Sequence, residues 1–303
     1  MLVPQPQQDW AFITPSYSGD FERCQMLCQS MDVFLQGNWH HYIIVDKPDF
    51  GLFKSFAGPR RTILLTHDVA PPSMHHLFNI PFAGGRSVWW ARKTGFFIGW
   101  HMQQIIKMGI ASIINQQGLA YCDSDVFFVR PFHTDALSQG TKLRLFHSPH
   151  ARALPEISNL KYIKPGLEIL GLPVNNTDVH FTYIDNFVTW HRPTLLALRE
   201  HIEKTTGKAW YTELGARLDI SEYTLYGLFV DEVQKTNPHH FVDTTHLCKT
   251  QWSRQSKTEA EIEQFCQDLA PHQVAIGVQS FAAVNLEHLK KQLNLAISQY
   301  KAA

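Results

Sequence analysis

Residues 118–132, "GLAYCDSDVFFVRPF", decide how this chain is read. Leu119, Ala120, Tyr121 and Cys122 form one apolar run, and Val126, Phe127, Phe128 and Val129 form another. Both suit buried strands. Between them stand Asp123 and Asp125, and carboxylates rarely lie against a core unless something pairs with them. An apolar run that stops at an acidic pair reads as a strand emerging at the rim of a sheet. In open α/β sheets, ligands bind beyond the carboxyl ends of the strands. The i, i+2 spacing turns both carboxylates to one side while the backbone stays extended. Carboxylates that close raise each other's pKa unless a cation lies between them. A hard divalent cation with open positions for phosphate oxygens resolves that conflict. The competing reading is a turn whose aspartates cap backbone amides, and the flanking apolar runs fit it less well.

Upstream, strands and helices alternate. "WAFIT" (10–14) is a short apolar strand ended by Pro15, and Asp20 is placed to cap a helix. Phe21, Cys24, Leu27, Cys28, Met31, Phe34 and Leu35 then recur at helical spacing until Gly37. "HYIIVDK" (41–47), reaching Asp46, and "RTILLTHD" (61–68) are two further strands. Such alternation predicts an α/β fold with a mostly parallel sheet flanked by helices. From His67 to Ser87 the chain is rich in Pro, Gly and His and is expected to be a long loop. A helix is expected over Trp89–Met108. Downstream, "KLRLFH" reads as a strand, with helices expected after Pro193, through "SEYTLYGLFVDEV", and around Glu259–Leu269 and Glu287–Tyr300. No repeat or linker interrupts residues 1–303, so one domain with a helical C-terminal part is expected.

Composition narrows the function classes. The chain has 303 residues, 44% of them hydrophobic, which is enough for a sizeable core. Lys plus Arg (27) equals Asp plus Glu (27), so there is no electrostatic footprint for nucleic acid. The five cysteines have no disulfide-framework spacing, and Cys24 and Cys28, four apart, read as small core residues on one helix face. Free thiols point to a reducing compartment. The N-terminus "MLVPQPQQDW" lacks the basic and apolar regions of a secretory signal. No apolar stretch approaches the roughly 18 residues of a membrane helix. A cytoplasmic protein is expected, with peripheral attachment to the inner membrane compatible with that location.

"LAYCDSDVFFVRPF" resembles the DxD strand of GT-A glycosyltransferases, in which an apolar strand ends in Asp-x-Asp and a second short strand follows. More narrowly, the chain is similar to a group of bacterial glycosyltransferase-like proteins. The matching stretches are "FITPSYSGD", "GW" followed by "QQIIK" (99–107), "YCDSDVFFVRPF", "NFVTW" (186–190), "SEYTLYG" (221–227) and "VQS" (278–280). The resemblance implies a GT-A-like, Rossmann-like fold with a nucleotide-sugar-binding half (1–132) and an acceptor-side half (133–303). It implies a metal-dependent hexosyltransferase moving a sugar from a nucleotide-sugar, a UDP-sugar foremost, to a glycan or other hydroxyl acceptor, as in surface polysaccharide or glycoconjugate synthesis. Mn²⁺ or Mg²⁺ would bridge the donor diphosphate. By position, Asp125 would ligate the metal, and Asp123 would reach the metal, its bound water or the ribose. Thr14, Pro15, Ser16, Tyr17 and Asp46 would hold base and ribose, although Tyr17 reads equally as a packed aromatic and Asp46 as a turn residue.

A late His often completes such a metal site. Among His239, His240 and His246, the last is preferred because Lys249, a cation for diphosphate oxygens, and Trp252 follow it closely; the fuller His-Gly-Lys pattern of some relatives is missing. Glu222 is the carboxylate chosen as base on the acceptor side, with the alternative that Ser221 and Glu222 simply open a helix. Asp185 and Asn186, beside Phe181, Tyr183, Phe187 and Trp190, are candidate sugar contacts. Arg86, Arg92 and Lys93, after the long loop, and Lys107 further on are candidate diphosphate contacts, and the loop is expected to close over bound donor. Two rival classes exist. A haloacid-dehalogenase-type phosphatase carries its DxD after the first strand and continues with Thr, unlike Val126 here. A non-catalytic carbohydrate- or nucleotide-binding protein with a transferase-like fold would keep the sheet without turnover.

Overall fold

The computed structural model describes residues 9–80, 86–149, 160–174, 181–217, 219–282 and 284–302. The chain opens with β1 (Trp10–Pro15), α1 (Phe21–Phe34), β2 (Leu35–Gln36), β3 (Trp39–Val45), α2 (Phe50–Phe53), β4 (Arg61–Leu65) and α3 (Thr66–Val69). Then come β5 (Met74–Ile80), β6 (Arg86–Ala91), β7 (Gly95–Ile98) and α4 (Gly99–Gly109). β8 (Gly118–Cys122) and β9 (Val126–Phe128) flank the acidic pair, followed by β10 (Phe132–His133), β11 (Ser138–Gln139), β12 (Lys142–Phe146) and α5 (Leu160–Ile169). β13 (Phe187–His191), α6 (Arg192–Thr206), α7 (Trp210–Gly215) and α8 (Glu222–Leu228) lead to β14 (His240–Asp243) and β15 (Cys248–Gln251). α9 (Glu259–Gln267), β16 (Ala275–Val278) and α10 (Leu286–Ala302) close the chain.

The fold is mixed α/β. Its central sheet has the order β13-β8-β1-β3-β4, in which β8, β1, β3 and β4 run parallel and β13 antiparallel. Alternate side chains of each strand enter different cores. Ala11, Ile13, Leu119 and Tyr121 pack with Ile105 of α4, Leu198 of α6 and Leu225 of α8. Trp10, Phe12, Ala120 and Cys122 pack with Leu27 and Met31 of α1 and Leu289 and Leu293 of α10. With both faces covered, β1 and β8 read as continuous apolar runs. A second sheet, β15-β16-β9, holds the segment after the acidic pair, and Val126 faces Gly277 of the antiparallel β16. Cys24 and Cys28 are buried against Ile43 and Phe53, as core thiols should be.

The region from His67 to Met108 departs from expectation. The long loop contains α3 and β5, and the expected helix over Trp89–Met108 is two strands followed by α4. β5, β6 and β7 form a three-stranded antiparallel sheet. Val88, Trp89, Trp90, Phe96 and Phe97 are strand formers, and Gly95, at φ +74°, supplies the left-handed residue of the turn between β6 and β7. Asp20 also differs from its expected role. It stands at the N-cap position of α1 but makes no side-chain cap; its carboxylate accepts from Ser124 Oγ at 3.2 Å. No helix among the described residues is long and apolar enough to cross a membrane.

Candidate functional site

β1, β3 and β8 are parallel, so Pro15, Asp46 and Asp123 emerge at the same edge of the sheet. β13 runs the other way, with Phe187 opposite Cys122, so Asp185 and Asn186 arrive at that edge from its start. Here lies a cleft of about 890 Å³ whose wall includes Pro15, Ser16, Tyr17, Asp46, Asp123 and Glu222. Five of these six lie at or just beyond strand ends in the first 123 residues. Asp185 and Asn186 also line it, as expected for ligand contacts.

Lys107 organises the floor. Its Nζ lies 3.0 Å from Asp123 Oδ1, 3.2 Å from Glu222 Oε1 and 2.8 Å from the Tyr223 hydroxyl, and its side chain is 5% exposed. Burial opposes that charge, but Asp123, Tyr223 and Glu222 outweigh it and hold the Lys107 pKa well above its ordinary value. Burial raises Glu222, and Lys107 offsets part of the rise. Ser221 caps α8 by accepting from the Thr224 amide, so Glu222 both opens the helix and faces the cleft. Gln104 Oε1 accepts from the Glu222 amide at 3.2 Å, fixing α8 against α4.

Asp125 lies deeper. Its Oδ2 accepts from the Ser280 amide at 3.1 Å, while Oδ1 is buried without a hydrogen-bond partner. Burial, then the neighbouring Asp123 and Asp20, push its pKa up to about 8. Asp20 is itself raised, by burial foremost. Arg23 offsets part of the rise at both Asp20 and Asp125, while Lys107 is shared between Asp123 and Glu222. Among the described residues, no group of three or more His, Cys, Asp or Glu side chains is placed to hold a metal ion by itself, the three aspartates included. Mg²⁺-type sites commonly combine one or two carboxylates with substrate phosphates and water instead.

Several expected site residues lie elsewhere. Thr14 is fully buried; its hydroxyl donates to the Cys122 carbonyl at 2.7 Å and lies 2.9 Å from His41 Nε2, tying β1 to its neighbours. His246 does not join the aspartate pair. It packs on Phe146 and sits 3.3 Å from Asp185 Oδ2, outside the cleft wall, because β12 and β15 hold it behind that residue. Lys249 is engaged by the Asp268 carbonyl and carboxylate and covers Phe265. Arg92 and Lys93 are exposed at the β6–β7 turn and do not line the cleft, since the chain forms a hairpin there. Arg86 begins β6, and its side chain lies outside the described residues. His240 is buried against the Tyr226 hydroxyl. Tyr183, Phe187 and Trp190 are core, and half-buried Phe181 packs on His147. The aromatic lining comes instead from Tyr17, Trp100, Tyr162, Tyr223, Trp252 and Phe281. Asp20, Asp49, Gln104 and Ser280 were missed as site residues. The signal for Asp20 and Ser280 lay in "PSYSGD" and "VQS", short polar stretches just beyond apolar strands.

A mixed α/β protein with an acidic pair at the parallel strand ends of a deep cleft is the class that fold and site define. The chain belongs to a family of unknown function, DUF6492, which it matches over residues 12–302. No curated protein matches it.

Proposed function

We propose that this protein is a metal-dependent glycosyltransferase of GT-A-like architecture, using a nucleotide-sugar donor. The observation that carries the reading is the acidic pair after β8: Asp123 lines a cleft of about 890 Å³, and Asp125, two residues on, keeps a buried Oδ1 without a hydrogen-bond partner. Asp125 and Asp123 would hold Mn²⁺ or Mg²⁺, which would neutralise the charge developing on the leaving diphosphate. Pro15, Ser16, Tyr17 and Asp46 suit the nucleoside, being at adjoining strand ends. The anomeric carbon would lose its bond to the phosphate oxygen, and the nucleoside diphosphate would depart with that electron pair. The acceptor oxygen would form the new bond and give its proton to Glu222, which stands at the cleft wall 3.2 Å from Lys107. Lys107 would hold Asp123 and Glu222 in place and limit their mutual repulsion. A binding protein without turnover would use the same cleft but would not cleave a donor.

Titration calorimetry with UDP and GDP, with and without Mn²⁺, tests the reading. One of the two nucleotides should bind at least roughly tenfold more tightly with the metal, about 1.4 kcal/mol. Asp125→Asn should abolish that gain and leave the fold intact. Equal affinity for both nucleotides with and without metal would refute the proposal. Metal-dependent hydrolysis of the donor would separate an enzyme from a binding protein.

A further inference from the structure

The β5-β6-β7 sheet has two unlike faces. Met74, Trp89, Ala91 and Phe97 point inward and are buried in the core that contains Met102 and Ile105 of α4. The register places His75, Trp90 and Phe96 in one cross-strand row, with Phe78, opposite the buried Val88, in an adjacent row. Phe96 is 73% exposed, Phe78 56% and neighbouring Leu77 44%; Trp90 is half-buried. Exposed aromatics clustered on one sheet face mark an interaction surface. Its charge indicates the partner. Residues 69–122 contain no Asp or Glu, although the chain as a whole is neutral. Arg92 and Lys93 are exposed at the turn next to Trp90 and Phe96, and Arg86 begins β6. Aromatic side chains beside cations, on a stretch of chain that carries no acidic residue of its own, are the chemistry of a surface lying on anionic lipid.

We infer that the outer face of the β5-β6-β7 sheet docks on an anionic lipid bilayer, with Phe78, Trp90 and Phe96 at the headgroup boundary and Arg92 and Lys93 on lipid phosphates. The same sheet borders the cleft: Ser87 of β6, and Gly99 and Trp100 immediately after β7, line it. Docking therefore brings a cleft wall to the bilayer, and if the proposed transferase activity holds, the acceptor is a lipid-carried hydroxyl. That last step rests on the functional reading, whereas the docking does not.

Co-sedimentation with two vesicle compositions tests the docking, without donor, metal or turnover. The protein should pellet with phosphatidylcholine vesicles containing about 30% phosphatidylglycerol and stay in solution with phosphatidylcholine alone. Phe96→Ser, and separately Arg92→Glu with Lys93→Glu, should each weaken binding roughly tenfold or more. These side chains are exposed, so circular dichroism should be unchanged. Leu295→Ser, removing an apolar side chain 42% exposed on α10, should leave binding as it is. Absence of binding to anionic vesicles would overturn the proposal, as would binding that survives both sets of substitutions. Self-association lost in Phe96→Ser, with no lipid binding, would also overturn it and assign the face to a second copy.

Discussion

Lys107 is a buried cation shared by two carboxylates from distant parts of the chain, Asp123 after β8 and Glu222 on α8. Removing Lys107 leaves Glu222 buried and uncompensated, while Asp123, 37% exposed, is partly solvated; a fully buried pair broken this way loses about 3–5 kcal/mol. Lys107→Met should therefore destabilise the protein by about 3 kcal/mol in urea unfolding. Adding Glu222→Gln to that variant should restore part of the loss, because one of the two stranded charges is gone. Strictly additive losses would show that the two groups do not interact. The cleft-lining positions that were legible were those at strand ends, where an apolar run stops at a polar side chain: Pro15, Ser16, Tyr17, Asp46 and Asp123. Lys107, read as a diphosphate contact on one helix with Arg92 and Lys93, does line the cleft, but from α4 alone and engaged by Asp123 and Glu222. Its partners were not legible, because Glu222 lies 115 positions further on, and no local pattern reports an approach between α4 and α8. Arg92 and Lys93 were assigned to the same site because sequence proximity to a Gly-rich stretch cannot tell a cleft wall from a hairpin turn.

At the scale of elements, the strand–helix alternation up to Leu65 was readable because those strands are apolar on both faces and end in turn residues. The segment from Val88 to Ile98 was not: its aromatics fit either period, and the tertiary contact of Trp89 and Phe97 with the core selects the strand. Two junctions around α8 give measurable consequences. A Cβ on Gly227 would stand 2.2 Å from the ring of Tyr183, so Gly227→Ala must displace α8 from the segment that leads into β13 or force the ring aside. A loss of about 1–3 kcal/mol is expected, read as a lower urea midpoint at unchanged m-value. Beside it, the His191 amide donates to the Tyr226 hydroxyl at 2.8 Å, and that hydroxyl lies 2.8 Å from His240 Nε2. Burial foremost, and then the neighbouring histidines, lower His191 to about 4 and His240 to about 3. Both are neutral when folded and protonate near 6.5 when unfolded. The unfolded chain therefore binds more protons below pH 6.5, and stability falls as pH drops from there towards 3–4. His240→Asn should flatten this acid limb by up to about 1.4 kcal/mol per pH unit. Thermal melts between pH 4 and 7 would show it, and an unchanged slope would mean that His240 protonates equally in both states.

The whole molecule does not divide at the boundary between its two sequence halves. Asp125 belongs to the first half by number, but its carboxylate accepts from Ser280, and its carbonyl accepts from Val278 at 3.1 Å. β9 pairs with β16, and β8 is covered on its outer edge by β13, so residues 187–191 and 275–278 complete the sheets around the acidic pair. α10 then packs back on α1: Leu289, Leu293 and Ile297 are buried in the same core as Leu27, Met31 and Phe34, and Tyr300 meets Phe34 at 5.3 Å between ring centroids. A core shared this way makes unfolding all-or-none, since neither half can bury its apolar strands alone. Leu293→Ala, 170 residues from Asp123, leaves a cavity between α1 and α10 and should cost about 2–4 kcal/mol. Far-UV circular dichroism and tryptophan fluorescence should report one coincident transition in the parent and in the variant, shifted together to lower urea. Two separated transitions, with the fluorescence of Trp90 and Trp100 outlasting the loss of helix signal, would instead mean that the cleft side folds without the C-terminal layer.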